Sequence, residues 1–263
     1  MNVALTIAGS DSGGGAGIQA DLKTFHQFGV FGTSVITAVT AQNTRGVSAW
    51  EPVSPELVAR QLDAVATDLR PAAFKTGMLG TAEIARVVAG GIARDGLTSY
   101  VLDPVMVATS GDRLLEGGAE SVIASALVPL ATLVTPNLHE AAILTGQTVA
   151  SPDEMQRAGH ALLAMGAGAV LIKGGHLEGG ELVDVLVTAD GVDQFRHRRI
   201  ETRSTHGTGC TLAAAAAAGL ALGRPLRQAV ADAVAFVQLA IAAAPGLGSG
   251  NGPLSHFVAA PRD

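Results

Sequence analysis

The sequence predicts an α/β protein, a three-layer α/β/α sandwich around a mostly parallel central sheet. Strand-like and helix-like segments alternate along the chain, which is the pattern of parallel strands joined by crossover helices. Polar or glycine-rich residues follow nearly every strand-like segment, and open α/β sheets bind ligands at the carboxyl ends of their strands. With 263 residues, 48% of them hydrophobic, the chain fits a single domain over 1–263 with a full core.

The amino-terminal half supports this class element by element. A buried strand over 2–8 leads into a glycine-rich loop, 9–17, and apolar residues at helical spacing then predict a helix. These apolar positions are Ile18, Leu22, Phe25 and Phe28. Ser54 and Pro55 suit the cap and the first position of a helix that runs to Leu69. The other elements expected here are strands at 33–40, 72–75 and 99–102 and a helix at 81–94.

Two capping boxes organise the carboxy-terminal half. Asn137 with Glu140, and Ser151 with Glu154, have the spacing that marks the start of a helix. The turn at 189–191 predicts a hairpin between two strands. The elements expected here are strands at 132–135, 169–172, 181–188 and 194–200, helices at 138 onward, 151–165, 210–222 and 226–243, and a loose tail at 245–253.

The composition excludes several classes of function. The net charge of −6 gives no nucleic-acid footprint, and the short basic run at 196–199 suits a solvated face or an edge strand. The single cysteine excludes an intrachain disulfide and a cysteine-based zinc site. Residues 1–9 lack the basic segment of a signal peptide, and the longest apolar helix is too short to span a bilayer. We therefore expect a soluble cytoplasmic protein with no nucleic-acid or membrane partner.

The most informative stretch is a glycine-rich turn that opens directly into an alanine-rich helix, 203–222. Gly207 and Gly209 free the backbone, and the successive N–H groups of Gly207, Thr208 and Gly209 form a site for an anion at the helix N-terminus. Cys210 follows in the first turn, where the helix dipole lowers the pKa of a thiol. The stretch predicts an anion hole beside a reactive thiol, with a buried, inert cysteine as the alternative.

Polar side chains at the ends of other strands are further candidates for ligand-binding residues. Gln42 can donate and accept at once, so it can pair with the edge of an aminopyrimidine or can simply cap a turn. Asp103 is costly to bury without a partner and is therefore functional or locally paired. Lys173, followed by two glycines, can reach a phosphate. Asn137 and Glu140 either form only a helix cap or lie near a phosphate-bound Mg²⁺.

Seven motifs, spread in order over about four-fifths of the chain, resemble those of the hydroxymethylpyrimidine and phosphomethylpyrimidine kinases of thiamine biosynthesis. These kinases belong to the ribokinase-like superfamily, so the resemblance implies a ribokinase-like fold. The motifs lie at 8–21, 41–44, 75–78, 103–106, 135–137, 173–176 and 206–210.

The resemblance implies ATP-dependent phosphorylation of 4-amino-5-hydroxymethyl-2-methylpyrimidine, and then of its monophosphate to the diphosphate. Cys210 takes the place of the aspartate that acts as catalytic base elsewhere in the superfamily. Gln42 is expected to hold the pyrimidine edge, with Gly9, Ala16, Asp21, Met78 and Val105 around it. Contacts to ATP or its phosphates are expected from Lys173, Asp103, Asn137 and His206, and Mg²⁺ is expected near Glu140 and Asp103.

Some questions remain open at this level. Thr109 stands where many members of the family carry a lysine, which bears on the diphosphate-forming step. Pyridoxal kinases share the fold, a thiol hydrolase would also use Cys210, and a non-catalytic binding module would bind a small aromatic ligand without consuming ATP. The resemblance implies a homodimer, and the sequence leaves the use of a monovalent cation undecided.

Overall fold

A computed structural model describes residues 1–108, 111–112, 114–175, 177 and 180–261. The strands are β1 Val3–Ser10, β2 Phe31–Asn43, β3 Gly46–Pro52, β4 Ala73–Thr76, β5 Tyr100–Leu102, β6 Leu133–Val134, β7 Ala169–Ile172, β8 Glu181–Thr188 and β9 Gly191–Arg198. Within the described residues they form one sheet in the order β3-β2-β1-β4-β5-β6-β7-β8-β9. From β2 to β7 in this order all pairs are parallel, and β3, β8 and β9 are antiparallel additions at the edges. The prediction of a mostly parallel sheet is confirmed.

Helices cover both faces of this sheet. They are α1 Gly17–Gln27, α2 Pro55–Asp68, α3 Ala82–Asp95, α4 Ala119–Val122, α5 Leu138–Thr145, α6 Pro152–Ala164, α7 Thr208–Ala221 and α8 Leu226–Ala242. One apolar core joins α2 to α6 with one face of the sheet, and a second core joins α1, α7 and α8 with the other face. Leu5 and Ile7 of β1 face the first core and Ala4 faces the second, as the two-residue period of a strand requires. The three predicted layers are therefore present.

Helix α7 is the centre of the second core, and its small side chains explain its position. The alanines from 213 to 218 are all 0% exposed, so this helix is buried on every side. Gly219 lies so close to α8 that an added Cβ would be 2.8 Å from the Cβ of Ala229. Because alanine and glycine carry almost no bulk, α7 can pack against the sheet, α1 and α8 together, which fixes the turn that precedes it.

Several predicted elements need correction. The strand predicted at 33–40 extends as β2 to Asn43, so the alternative of Gln42 as a turn residue is wrong. This end of β2 pairs with β3, an edge strand that was not predicted. The helical segment 119–130 was also not predicted; after α4 it continues as one π turn, Ile123–Leu127, and one 3₁₀ turn, Val128–Leu130. Helix α7 begins at Thr208 rather than Cys210, because Gly207 adopts a left-handed conformation with φ 84° and ends the preceding turn.

The tail expected to be loose is tied to two distant segments. The backbone N–H of Asn251 donates to the Thr44 carbonyl at 2.7 Å, and that of Gly252 donates to the Arg203 carbonyl at 3.1 Å. His206 in turn donates its backbone N–H to the Gly252 carbonyl at 3.1 Å. These long-range backbone bonds carry no local sequence signal, which is why a glycine-rich segment was expected to be loose.

Other local predictions are confirmed. Ser54 accepts a hydrogen bond from the Leu57 N–H, so it caps α2, and the basic run at 196–199 begins on the edge strand β9. The second capping box is only half formed: Ser151 accepts from the Glu154 N–H, but the Glu154 carboxylate accepts from Ala150. Among the described residues, no helix combines the length and the apolar character that crossing a membrane would need.

Candidate active site

One large cavity of about 1290 Å³ lies along the carboxyl ends of the parallel strands. Its lining includes residues at or just after the ends of strands, such as Gly9 near the end of β1, Asp103 after β5 and Lys173 after β7. All the predicted site residues except Asp21 line this cavity. The expectation that the site lies at the carboxyl edge of the sheet is confirmed.

The glycine turn before α7 forms part of the cavity wall. Gly207 packs on the glycine loop after β1, where an added Cβ would overlap the Gly15 carbonyl oxygen. Thr208, Gly209 and Cys210 are the first three residues of α7, so their N–H groups lack partners within the helix and can bind an anion. The Thr208 N–H donates to the Thr205 carbonyl at 3.4 Å, a long hydrogen bond that an anion can replace. An added Cβ on Gly209 would lie 3.1 Å from the Nζ atom of Lys173. The missing side chain therefore lets this lysine approach the turn.

Cys210 lies in this first turn and is partly exposed to the cavity. Burial raises the pKa of the Cys210 thiol to about 12; the positive charge of Lys75 opposes the rise, and the carboxylates of Asp21 and Asp103 add to it. The expectation that the helix dipole makes this thiol acidic is therefore wrong. Desolvation of the thiolate outweighs the dipole, since the sulfur is enclosed by protein on most sides.

A lysine and two carboxylates form the charged part of the cavity. Lys173 Nζ lies 3.0 Å from Asp103 Oδ1 and 3.9 Å from Glu140 Oε2. Burial raises the pKa of Glu140 to about 7, although Lys173 opposes the shift. Burial alone would lower the pKa of Lys173, but Asp103 and Glu140 raise it above its ordinary value. The lysine is therefore a fixed cation at this point.

The predicted capping box at α5 is confirmed. The Glu140 N–H donates to Asn137 Oδ1 at 2.9 Å, and the Asn137 N–H donates to Glu140 Oε2 at 2.8 Å. Within the part of the chain that the structure describes, no three metal-binding side chains cluster. The two carboxylates of Asp103 and Glu140 remain the predicted metal ligands, since Mg²⁺ needs only one or two carboxylates when phosphates and waters complete its shell.

Another part of the cavity wall joins the polar side chain of Gln42 to apolar residues. Gln42, near the end of β2, is held by a reciprocal pair with Ser12, whose Oγ accepts from the Gln42 N–H and donates to the Gln42 carbonyl, both at 2.8 Å. An added Cβ on Gly9 would lie 3.1 Å from Met78 Sδ, so the backbone at Gly9 packs directly on this thioether. Met78 is 7% exposed, belongs to a small apolar cluster and lines the cavity together with Ala16 and Val105.

Asp21 is the predicted substrate residue that the structure corrects. Its side chain is 0% exposed, does not line the cavity, and pairs with Lys75 at 3.1 Å. Burial raises the pKa of Asp21, and Lys75 and Thr6 oppose this shift. Because α1 turns this carboxylate inward from the glycine loop, Asp21 lies beneath the cavity and does not contact a ligand in it.

Asp11 is a site residue that the sequence analysis missed. Its carboxylate accepts hydrogen bonds from the N–H groups of Gly13, Gly15 and Ala16 at 2.7–2.9 Å, and it lies 2.9 Å from His206 Nε2. Burial alone would raise the pKa of Asp11, but His206 and these N–H groups hold it below its ordinary value. The sequence signal for Asp11 was a carboxylate inside a glycine-rich loop, whose N–H groups are free to donate hydrogen bonds to it.

His206 was expected near ATP, and the structure places its ring on the glycine loop after β1. Besides Asp11, its Nε2 atom lies 3.5 Å from Gln42 Nε2. The ring therefore joins the glycine turn to the end of the cavity that carries Gln42. Thr109, and His176 at the end of the motif 173–176, lie outside the residues that the structure describes.

Comparison with known proteins agrees with this geometry. The family model described as phosphomethylpyrimidine kinase matches residues 11–255. A hydroxymethylpyrimidine/phosphomethylpyrimidine kinase from Rhizobium meliloti is 55% identical over 258 residues, which cover 97% of each chain. The thiamine biosynthesis bifunctional protein ThiED of Geobacter sulfurreducens is 50% identical over 256 residues, 97% of this chain and 52% of that one.

Solved structures share the architecture. The ADP complex of Bacillus subtilis pyridoxal kinase superposes with a TM-score of 0.91 at 38% identity, over 97% of both chains. The chain thus shares its fold with a vitamin kinase, and its sequence with kinases of the thiamine pathway over nearly its full length. This chain belongs to the phosphomethylpyrimidine kinase family.

Proposed function

We propose that this kinase phosphorylates 4-amino-5-hydroxymethyl-2-methylpyrimidine with ATP, and then phosphorylates the monophosphate to the diphosphate used in thiamine diphosphate biosynthesis. The observation that carries the proposal is one continuous cavity that is lined both by Gln42 and by the anion turn with Lys173. The name of the relative at 55% identity supports the same substrates, and the name of the relative at 50% identity supports thiamine biosynthesis.

The charged end of the cavity suits the phosphates of ATP. The N–H groups of Thr208, Gly209 and Cys210 hold the γ-phosphoryl oxygens as negative charge develops on them. Lys173 neutralises part of that charge from a position beside Gly209. Asp103 and Glu140 fit a hydrated Mg²⁺, because both present buried carboxylate oxygens next to the space for the phosphates. When bound, Mg²⁺ supplies further charge neutralisation there.

The apolar end suits the pyrimidine. The amide of Gln42 pairs with the polar edge of the ring, and Met78 and Val105 contact its faces. In this pose the hydroxymethyl oxygen lies near Cys210, in line with the γ-phosphorus. The Cys210 thiol is neutral in the resting enzyme because burial raises its pKa to about 12. It must therefore lose its proton before it can accept that of the substrate, which makes the reaction faster at higher pH.

The direct test incubates the purified protein with ATP, Mg²⁺ and the hydroxymethylpyrimidine, and follows the products by mass spectrometry. Monophosphate and then diphosphate are expected in sequence. Monophosphate alone would restrict the enzyme to the first step and would direct attention to Thr109. Ligand binding without any phosphorylated product would contradict the proposal and favour a binding module.

Pyridoxal phosphorylation is the second candidate, and the TM-score of 0.91 to a pyridoxal kinase favours including it. A parallel incubation with pyridoxal separates the two activities, since product from pyridoxal alone would change the assignment to pyridoxal kinase.

We further propose that the enzyme works in the cytoplasm as a homodimer, as the family resemblance implies. Analytical ultracentrifugation at several protein concentrations tests the dimer.

A further inference from the structure

A fully buried ion pair lies beneath the floor of the cavity, and the mechanism above gives it no role. Lys75 Nζ lies 3.2 and 3.1 Å from the two carboxylate oxygens of Asp21, and both side chains are 0% exposed. Thr6 donates a hydrogen bond of 2.6 Å to the same carboxylate. Because burying two charges is costly and seldom stabilises a fold, a pair in this position calls for an explanation in terms of function.

The ammonium group of Lys75 lies directly under the cavity wall. Lys75 is on β4, and the backbone turns above it at Gly77, which lines the cavity. An added Cβ on Gly77 would lie 3.0 Å from Lys75 Nζ, so no side chain separates the charge from the cavity at this glycine. Asp21 takes up two of the three N–H donors of this lysine in the described structure.

Helix α1 brings this ion pair next to Cys210. Helix α7, whose first turn carries Cys210, packs against both α1 and β4, which carry Asp21 and Lys75. Asp21 is four residues after Gly17, the first residue of α1, and therefore lies on the same face of the helix. Helix α1 thus reaches the cavity that Cys210 lines with its first residue, Gly17, and holds Lys75 with the carboxylate of Asp21.

Four charged groups from four elements surround the thiol. Asp21 of α1 and Asp103 after β5 disfavour a thiolate, and Lys75 of β4 is the cation that opposes them most. Lys173 after β7 is also close, but its charge is already matched by Asp103 and Glu140. Lys75 is therefore the cation best placed to compensate a negative charge on the sulfur.

We propose that Lys75 is a positioning residue for phosphoryl transfer, whose buried charge stabilises the Cys210 thiolate, and that Asp21 holds Lys75 in place. In the transfer step the substrate O–H bond breaks as an S–H bond forms, and the new O–P bond replaces the bond from the γ-phosphorus to ADP. The thiol then returns its proton to solvent before the next turnover, and Lys75 favours that loss. This inference rests on the proton-accepting role proposed for Cys210.

The test measures the acidity of the thiol directly, without turnover. Cys210 is the only cysteine in the chain, so the rate of alkylation by iodoacetamide reports on this thiol alone. At about pH 9 the rate is proportional to the thiolate fraction, and each unit of pKa changes it about ten-fold. Lys75→Met should slow alkylation about ten-fold or more, and Asp21→Asn should speed it up.

The opposite signs separate an electrostatic role from a structural one. Loosening of the fold would expose the sulfur and speed alkylation in both variants. Lys75→Arg, which keeps the charge, should stay near the wild-type rate, and the double variant Lys75→Met/Asp21→Asn should lie between the single variants. Asp232→Asn serves as the matched control, because Asp232 of α8 forms a mostly buried ion pair with Arg224 and does not line the cavity.

The inference would be overturned if the wild type and Lys75→Met were alkylated at equal rates while thermal unfolding curves showed that both proteins are folded. Changes of the same sign in Lys75→Met and Asp21→Asn would also overturn it. If alkylation shifts as expected but kcat of Lys75→Met is unchanged, Lys75 sets the acidity of the thiol without assisting catalysis, and the positioning role is refuted. If the wild type shows no kinase activity, the proposed function is refuted, while the alkylation rates still report the acidity of the Cys210 thiol.

Discussion

Replacing Gly209 by alanine should lower activity without lowering stability. The added Cβ would lie 3.1 Å from Lys173 Nζ and 3.8 Å from Asp103 Oδ2, against ordinary contacts of 3.4–4 Å. Lys173 must therefore retreat by a few tenths of an ångström from the place where it meets the phosphates. Displacements up to about 1 Å at a reacting group can cost up to about 100-fold, so we expect kcat/KM for ATP to fall about 10- to 100-fold.

The stability of the same variant should move in the other direction. Gly209 is the second residue of α7, and alanine is favoured over glycine in a helix by up to about 1 kcal/mol. The assay pairs steady-state kinetics at varied ATP concentration with urea unfolding. The matched control is Gly90→Ala in α3, where the added Cβ meets no atom within 4 Å, so stability should rise with no change in kinetics. Wild-type kcat/KM for ATP in Gly209→Ala would refute the reasoning.

Four further predictions follow from the same site. Cys210→Ala should lower kcat at least about 100-fold with little change in the unfolding midpoint; a kcat within a few-fold of wild type would remove the base role. The kcat of the wild type should rise with pH through neutrality, since the Cys210 pKa is raised to about 12, while Cys210→Asp should flatten this profile in stopped-time assays. Gln42→Leu should raise KM for the pyrimidine about ten-fold or more and leave KM for ATP unchanged, as measured by varying each substrate in turn. Asp11→Asn should remove a part of the folding stability that depends on pH. Because the pKa of Asp11 is lowered in the folded protein, the ionised carboxylate stabilises the wild type above the ordinary pKa of 3.8, and this contribution is lost as the pH falls through the lower folded-state pKa. Urea unfolding of both proteins at several pH values measures the difference.

Local patterns in the sequence were sufficient for the layers of the fold and for the polar cavity residues at the strand ends, whereas Gly9, Ala16 and Val105 were implied only by the family resemblance. Alternation of apolar segments predicted the parallel sheet, and polar residues after strands predicted which side chains meet at its carboxyl edge. The capping box of Asn137 and Glu140 was also predictable, because both of its hydrogen bonds form within one helical turn. These features depend on neighbours within a few residues, which is the range at which a sequence pattern carries information.

The tertiary structure decided what depends on groups far apart in the chain. The acidity of Cys210 could not be predicted from its helix position, since it reflects burial by several segments and charges on Asp21, Lys75 and Asp103. His206 reaches Asp11 across 195 positions of sequence, and no local pattern indicates that contact. Secondary structure and motif spacing were thus set by the sequence locally, whereas desolvation and electrostatics became defined only when the fold brought these distant groups together.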